Sequence, residues 1–390
     1  MMKKIVLAFA VVAIAATIWY LEAHKAGQVS SEIKDITVPE RSSANAPEHS
    51  ASSTAATAAV PDRSLIIKEK AARLPHAKEL AAIHGYINAD QFKLADFVGK
   101  KVILIDFWTY SCINCQRTIP YLNAWYKKYK DKGFVIVGVH TPEFEFEKDY
   151  GNVAKAVAAA GIKYPVVLDS DYGTWTAYEN RFWPREFLID IDGFIVHDHI
   201  GEGAYDETER AIQAALKERG AALAVGNGID TAIVSPKDTV SMDESKVASP
   251  EIYFGSARNE YLGNGARGVS GPQTLALPAA VSSNKLYLDG TWDFQKEFAE
   301  NSGSGAKIIF KYNAKNVYLV ASSDSGVKIK VLRDAKPLGA DAGADVTPDG
   351  TILVKDNRLY KLIEGSDYGE HTIEIQIENP GLKAFTFTFG

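Results

Sequence analysis

The chain is poor in cysteine: Cys112 and Cys115 are the two present among 390 residues. One bond cannot staple a chain of this size. Stability has to come from packed cores, and the length favours more than one domain. A structural zinc site wants about four ligands, more than one cysteine pair supplies. Basic charge is not in surplus either. Lys and Arg total 43 against 49 Asp and Glu, a net charge of −6, and no basic face marks a nucleic-acid partner. Residues 26–60 carry no apolar periodicity. They are rich in Ala, Ser, Thr and Pro and read as a flexible linker.

An uncharged apolar run covers residues 5–21, behind Lys3 and Lys4 and ahead of Glu22, His24 and Lys25. That pattern is an export signal. The run is long for a signal core and short for a membrane span. The cleavage-like site Leu21-Glu22-Ala23 has a large residue where a small one belongs. Residues 1–25 are thus expected to form a signal peptide or membrane anchor, the anchor fitting better. Either places the remainder outside the cytoplasm, in the periplasm or cell envelope, and a retained run would hold it to the inner membrane.

Residues 61–222 alternate strand and helix signals. Residues 101–108 are apolar after Lys101 apart from Asp106, as in a central strand covered on both faces. Apolar positions at Ile119, Leu122, Trp125, Tyr126 and Tyr129 repeat at helical spacing, with Pro120 inside the helix. Further strands are expected at 134–139 and 166–168, a helix at 147–160, and a hairpin at 187–199 around Asp192-Gly193. A helix over 206–219 has Asp206 as its expected N-cap. The order β-α-β-α-β-β-α is that of a thioredoxin fold, a central mixed sheet with flanking helices.

The cysteines sit at the first strand-to-helix turn with Ile113 and Asn114 between them. A thiolate, not a thiol, attacks a disulfide, and a helix N-terminus stabilises the thiolate through unpaired N–H groups and its positive dipole end. Cys112 is therefore the expected nucleophile. Cys115, one turn later, is expected to resolve the mixed disulfide. A bond across so small a loop constrains the unfolded chain little, which argues against an inert structural disulfide. Metal transfer by the pair with His140 remains an alternative, as does a scaffold role. No cofactor or metal is called for. Nothing between the cysteines adds positive charge, which favours a reductant over a strong oxidant. Glu143 and Glu145 follow the second buried strand on the same side.

The strings FWTYSCINCQRTIP at 107–120, GVHTPEFEFEK at 138–148 and RFWPREFLID at 181–190 resemble the exported, membrane-tethered TlpA/ResA-like thioredoxin family, in its DipZ-type branch. The resemblance implies that Asp106 is a buried proton acceptor for Cys115. It also implies that Pro184 is a cis-proline facing the dithiol, with Trp183, Arg185 and Tyr110 about the substrate groove. A strand-edge Asp106 turned to water is the competing reading. The implied function is a thiol–disulfide oxidoreductase acting on protein disulfides or dithiols, as in cytochrome c maturation. A separate DsbD/CcdA-like membrane donor would recharge it. Peroxidase activity is a further alternative on such folds.

Residues 223–248 read as a second linker. From 249 to 390 the character is all-β, with strict alternation at 327–331, 372–377 and 385–389. An antiparallel, jelly-roll-like β-sandwich is expected, resembling the carbohydrate-binding-like domain of that branch. Trp292, Tyr287 and Tyr318 are its candidate sugar platform. A spacer or protein-docking role competes with glycan binding.

Overall fold

The structure, a computed structural model, describes residues 63–390 apart from positions 227, 238 and 241. The expected anchor at 5–21 and linker at 26–60 lie outside the described residues. Among those described, no helix is long and apolar enough to cross a membrane.

The first half builds a six-stranded mixed sheet. Its elements are α1 (Arg63–Ala71), β1 (Gly85–Ile87), β2 (Val102–Trp108), α2 (Ile113–Tyr129), β3 (Phe134–His140), α3 (Tyr150–Ala159), β4 (Val166–Leu168), α4 (Gly173–Ala177), β5 (Arg185–Ile189), β6 (Ile195–Ile200) and α5 (Tyr205–Ala222). Strand order is β1-β4-β3-β2-β5-β6, with β2, β3 and β4 parallel and β1, β5 and β6 antiparallel to their neighbours. Every residue of β2 and β3 is buried, as continuous apolar runs demand. Even-numbered β2 residues join one core with Cys115 and Leu188, and odd-numbered ones join the other with Phe187 and Ile189. The helix expected at 147–160 begins later, because the Asp149 carboxylate caps it by accepting from Asn152 N–H at 2.8 Å. The last helix starts at Tyr205, before the expected cap at Asp206, with Ala204 at φ 44° as N-cap.

Strands β7 (Ile252–Tyr253), β8 (Gly271–Leu275), β9 (Leu286–Phe294), β10 (Ala299–Asn301), β11 (Lys307–Ser322), β12 (Val327–Arg333), β13 (Lys336–Pro337), β14 (Thr351–Val354), β15 (Arg358–Ile377) and β16 (Lys383–Phe389) form a ten-stranded antiparallel sheet. The two layers are parts of one hydrogen-bonded sheet. The N-terminal end of β11 pairs with β9 and its C-terminal end with β16, and the β11–β15 register shifts between Ala314 and Asn316. The fold-over encloses a single apolar core that includes Trp292, Phe310 and Phe387. The reading of 223–248 as a plain linker needs one addition. Ile229 and Val234 pack against the first core, and Val234 N–H donates to Glu209 at 2.7 Å.

Candidate active site

The dithiol lies where β2 gives way to α2. Cys112 is the N-cap residue, and its sulfur accepts the Cys115 N–H at 3.4 Å, so the unpaired helix donors face the first sulfur. Its thiol also points to the Trp183 carbonyl at 3.8 Å. The Trp183–Pro184 peptide is cis. Cys112 is half-buried and Cys115 is 1 % exposed. Burial, then the hydrogen bond and charge of Cys112, push the Cys115 thiol well up, with the nearby Asp106 acting in the same direction.

Asp106 is 1 % exposed, which removes the reading of it as a strand-edge residue turned to water. It shares a face with Cys115, and desolvation pushes its carboxyl up to about 7. A group that titrates near neutrality is suited to receive and release a proton.

The turn carrying Cys112 is tied down by two buried side chains. Glu147 accepts from Ser111 N–H at 3.2 Å, Ser111 Oγ at 2.6 Å, Glu143 N–H at 2.7 Å and Phe144 N–H at 3.0 Å. His140 accepts from Tyr110 N–H at 3.3 Å, stacks on the Tyr110 ring, and is driven down to about 3 by burial. It is therefore a neutral acceptor holding the turn. No group of three close ligating side chains among the described residues contains His140 or either cysteine. The one such group, Asp190, Asp192 and Glu218, is filled by the Lys70 ammonium, which bridges all three.

Two expected groove residues sit elsewhere. Arg185 is held to β6 by a two-pronged ion pair with Asp198 at 2.9 and 2.6 Å, and it lies over the Phe187 ring. Tyr110 lines a separate, more apolar cavity with Trp108, Gln116 and Pro120. Trp183 does line the space at Cys112, with its indole N–H donating to Thr141 O at 3.0 Å.

The second domain forms the other wall of that space. A cleft of about 390 Å³ opens at Cys112, lined on one side by Asn114, Arg181 and Trp183 and on the other by Glu251, Tyr253 and Arg258. Ile113 and Phe144 pack with Tyr318, Val320, Leu359 and Phe385 into one apolar cluster. Arg258 pairs with Glu143 at 2.8 Å, and the Tyr253 hydroxyl, with one proton to donate, lies between Glu143 at 2.8 Å and Glu251 at 2.6 Å. Tyr110 OH donates to Asn357 O at 3.1 Å. Arg117, beside the dithiol, is anchored to Glu202 at 2.8 Å and lies over the Tyr318 ring. Glu145 stays at the exposed rim, its side chain bound to Lys148. The sugar platform is not on the surface: Trp292 is 0 %, Tyr318 2 % and Tyr287 7 % exposed.

Sequence reasoning missed Glu147 and Glu186. An acidic residue inside a strand covered on both faces was the available signal for Glu186. Glu147 carries none, since it reads as an ordinary helix-start acid.

Residues 74–216 match the Redoxin family model, and residues 249–390 match the thioredoxin-like C-terminal domain model. The chain is 36% identical over 316 residues to Protein DipZ of Mycobacterium tuberculosis (strain CDC 1551 / Oshkosh). That match takes in 80% of this chain, and the chain spans 43% of the length of DipZ. It is 30% identical over 140 residues to thiol-disulfide oxidoreductase YkuV of Bacillus subtilis (strain 168), covering 36% of this chain and 90% of YkuV. It is 32% identical over 130 residues to thiol-disulfide oxidoreductase ResA of Bacillus thuringiensis (strain Al Hakam), covering 31% of this chain and 72% of ResA. With nearly all of YkuV and most of ResA matched across the segment that bears the dithiol, the chain belongs to the thioredoxin-like thiol–disulfide oxidoreductase family.

Proposed function

We propose that this protein exchanges disulfides with extracytoplasmic proteins through Cys112 and Cys115, as a reductant tethered to the membrane by residues 5–21. The observation that carries the reading is the placement of the Cys112 sulfur. It caps α2, lies beside the Trp183 carbonyl at the cis-proline, and opens into a cleft.

In this reading the Cys112 thiolate attacks one sulfur of a substrate disulfide. A bond forms between Cys112 Sγ and that sulfur, and the other sulfur leaves as a thiolate and takes a proton from water. Asp106 then accepts the Cys115 proton, and Cys115 Sγ attacks Cys112 Sγ. The second substrate thiolate leaves, two electrons have passed to the substrate, and a Cys112–Cys115 disulfide remains. An external membrane dithiol, of the DsbD/CcdA kind, reduces it again. Pro184 and Trp183 present backbone to the substrate.

The domain layout is a linker to residue 60, a catalytic domain over 61–222, a connector over 223–248 and a β-domain over 249–390. The β-domain shapes the cleft. With Trp292, Tyr287 and Tyr318 buried, its ligand is better sought in substrates entering that cleft than in glycans. Cytochrome c maturation, where cysteines must be kept reduced, is the process this chemistry suits.

The test is turnover of a protein disulfide with a dithiol reductant. Cys112→Ala should abolish it, and Cys115→Ser should trap mixed disulfides through Cys112. Turnover that survives Cys112→Ala refutes the reading.

A further inference from the structure

Behind the dithiol lies a buried carboxyl that the exchange steps above do not use. Glu186 on β5 is 2 % exposed and stands in direct register with Asp106 on β2. Side chains opposite each other on antiparallel strands share a face, with Cβ atoms roughly 4.5–5.5 Å apart. On the far side of Asp106, β3 presents Gly138 in register. A Cβ there would meet the Trp108 Nε1 at 3.0 Å and the Tyr164 ring at 3.2 Å. The missing side chain leaves room for these two groups at the chamber.

The chamber is short of hydrogen bonds. Asp106 Oδ1, Glu186 Oε2, Trp108 Nε1 and Tyr164 OH are all buried without a partner. An ionised carboxylate in such a place is costly, and two at once more so. The economical state for two facing buried carboxyls is one shared proton. Burial pushes Asp106 up to about 7, and burial with the Asp106 charge pushes Glu186 up to about 8. The other titratable groups near the pair are Cys115 on α2, Tyr164 before β4, Tyr205 on α5, and His197 and His199 on β6.

One link leads outward. The Thr208 hydroxyl, itself fully buried, stands close enough to the Glu186 carboxyl to favour its charged form and lies 3.1 Å from His197 Nε2. A hydroxyl can both donate and accept, so it stands between the two. His197 is half-buried, at the sheet edge away from the cleft.

We propose that Glu186 is a positioning and proton-holding residue for the Cys115 step, acting with Asp106 as a carboxyl pair that shares one proton and is tuned by Thr208. The proposal rests on the exchange reading above. When Cys115 loses its proton, the pair moves from one proton to two. When the disulfide is reduced again, the pair returns one. No electron passes through it, and no bond forms to it.

The full chain, reduced and mixed with Ellman's reagent in a stopped-flow cell from pH 5.5 to 9, separates the two steps. The first thionitrobenzoate released reports attack by Cys112, and the second reports attack by Cys115. Glu186→Gln keeps the shape and removes one ionisation. It should leave the first release unchanged and bring the upper inflection of the second down from about 8 towards about 7. Thr208→Val removes the hydroxyl that favours the charged form of Glu186, and should move that inflection up. Opposite shifts with an unchanged first step support the pair. Unchanged profiles, shifts of the same sign, or equal slowing of both steps would overturn it. If the wild-type protein releases no thionitrobenzoate through Cys112, the exchange reading itself fails, which is a different result.

Discussion

The two sides of the dithiol differ in what faces them. On the front, Cys112 faces a cleft where Glu143 is paired with Arg258 at 2.8 Å, while burial and the Glu143 charge push the neighbouring Glu251 up to about 7. On the back, Cys115 faces a closed chamber whose carboxyls have buried oxygens without partners. The front is assembled from two domains and has room for a substrate. The back draws on β2, β3, β5, β6, α2, α5 and Tyr164 ahead of β4. In the proposed exchange the same helix start serves attack on one side and proton transfer on the other. The second domain lines the cleft at Cys112 and contributes no strand beside Asp106 and Glu186.

The largest break of this contrast is mechanical. Phe385 reaches from the β-domain to stack edge-on against Phe144 at 5.1 Å and Phe146 at 4.8 Å. Phe385→Ala should cost about 3–5 kcal/mol, read as a lower midpoint in denaturant. At temperatures where the variant is folded, the Cys115 step should keep its pH profile while substrate KM rises.

Next is the back. Asp106→Asn should slow the Cys115 step about 100-fold, within the usual range for a lost general base, and spare the Cys112 step. Its effect on stability has the opposite sign. Burial raises the folded-state value to about 7 from 3.8, so the native protein holds a proton that the unfolded chain releases. That stabilisation is complete below about pH 4 and is lost as pH rises through about 7. At pH 8 Asp106→Asn should be more stable than wild type, by up to about 3–4 kcal/mol, while at pH 4 the two should be close. Denaturant titrations at the two pH values check this.

Glu147→Ala follows. It strands the Ser111, Glu143 and Phe144 N–H groups and should cost about 2–3 kcal/mol. It should also slow the Cys112 step, because the turn that aims the sulfur loosens. Differential scanning calorimetry with the stopped-flow assay reads both.

The smallest effect is at the cleft rim. Arg258 is 40 % exposed in its side chain, so its pair with Glu143 is partly screened. Arg258→Ala should change KM by about two- to fivefold, equivalent to less than about 1 kcal/mol, with kcat unchanged.

Much of the back was legible in the sequence and little of the front. The buried strand at 102–108, the helix after Cys112 and the hairpin at Asp192-Gly193 are local signals, written within a few residues of what they determine. Asp106 stands out because a charge inside an apolar run is unusual. The front depends on contacts between distant residues. Glu143 and Arg258 lie 115 positions apart, and nothing in the spacing of either points to the other. Aromatic residues in the β-region were ambiguous for a related reason. Alternation shows that one face is buried and leaves open whether the other meets water or a second domain. Tyr318 is the clearest case, buried against Arg117 and Ile113. Arg185 misled because it follows Pro184 directly. In an extended strand the next side chain turns to the other face, and Asp198 on β6 holds it there.

The front–back asymmetry is tested most directly by timed alkylation of the reduced protein with iodoacetamide at pH 8, mapped by mass spectrometry. Cys112, half-buried at the cleft, should be modified readily. Cys115, 1 % exposed and with its thiol held protonated by burial, should stay unmodified until the protein unfolds. Modification of Cys115 at a rate comparable to Cys112 in the folded protein would contradict the account.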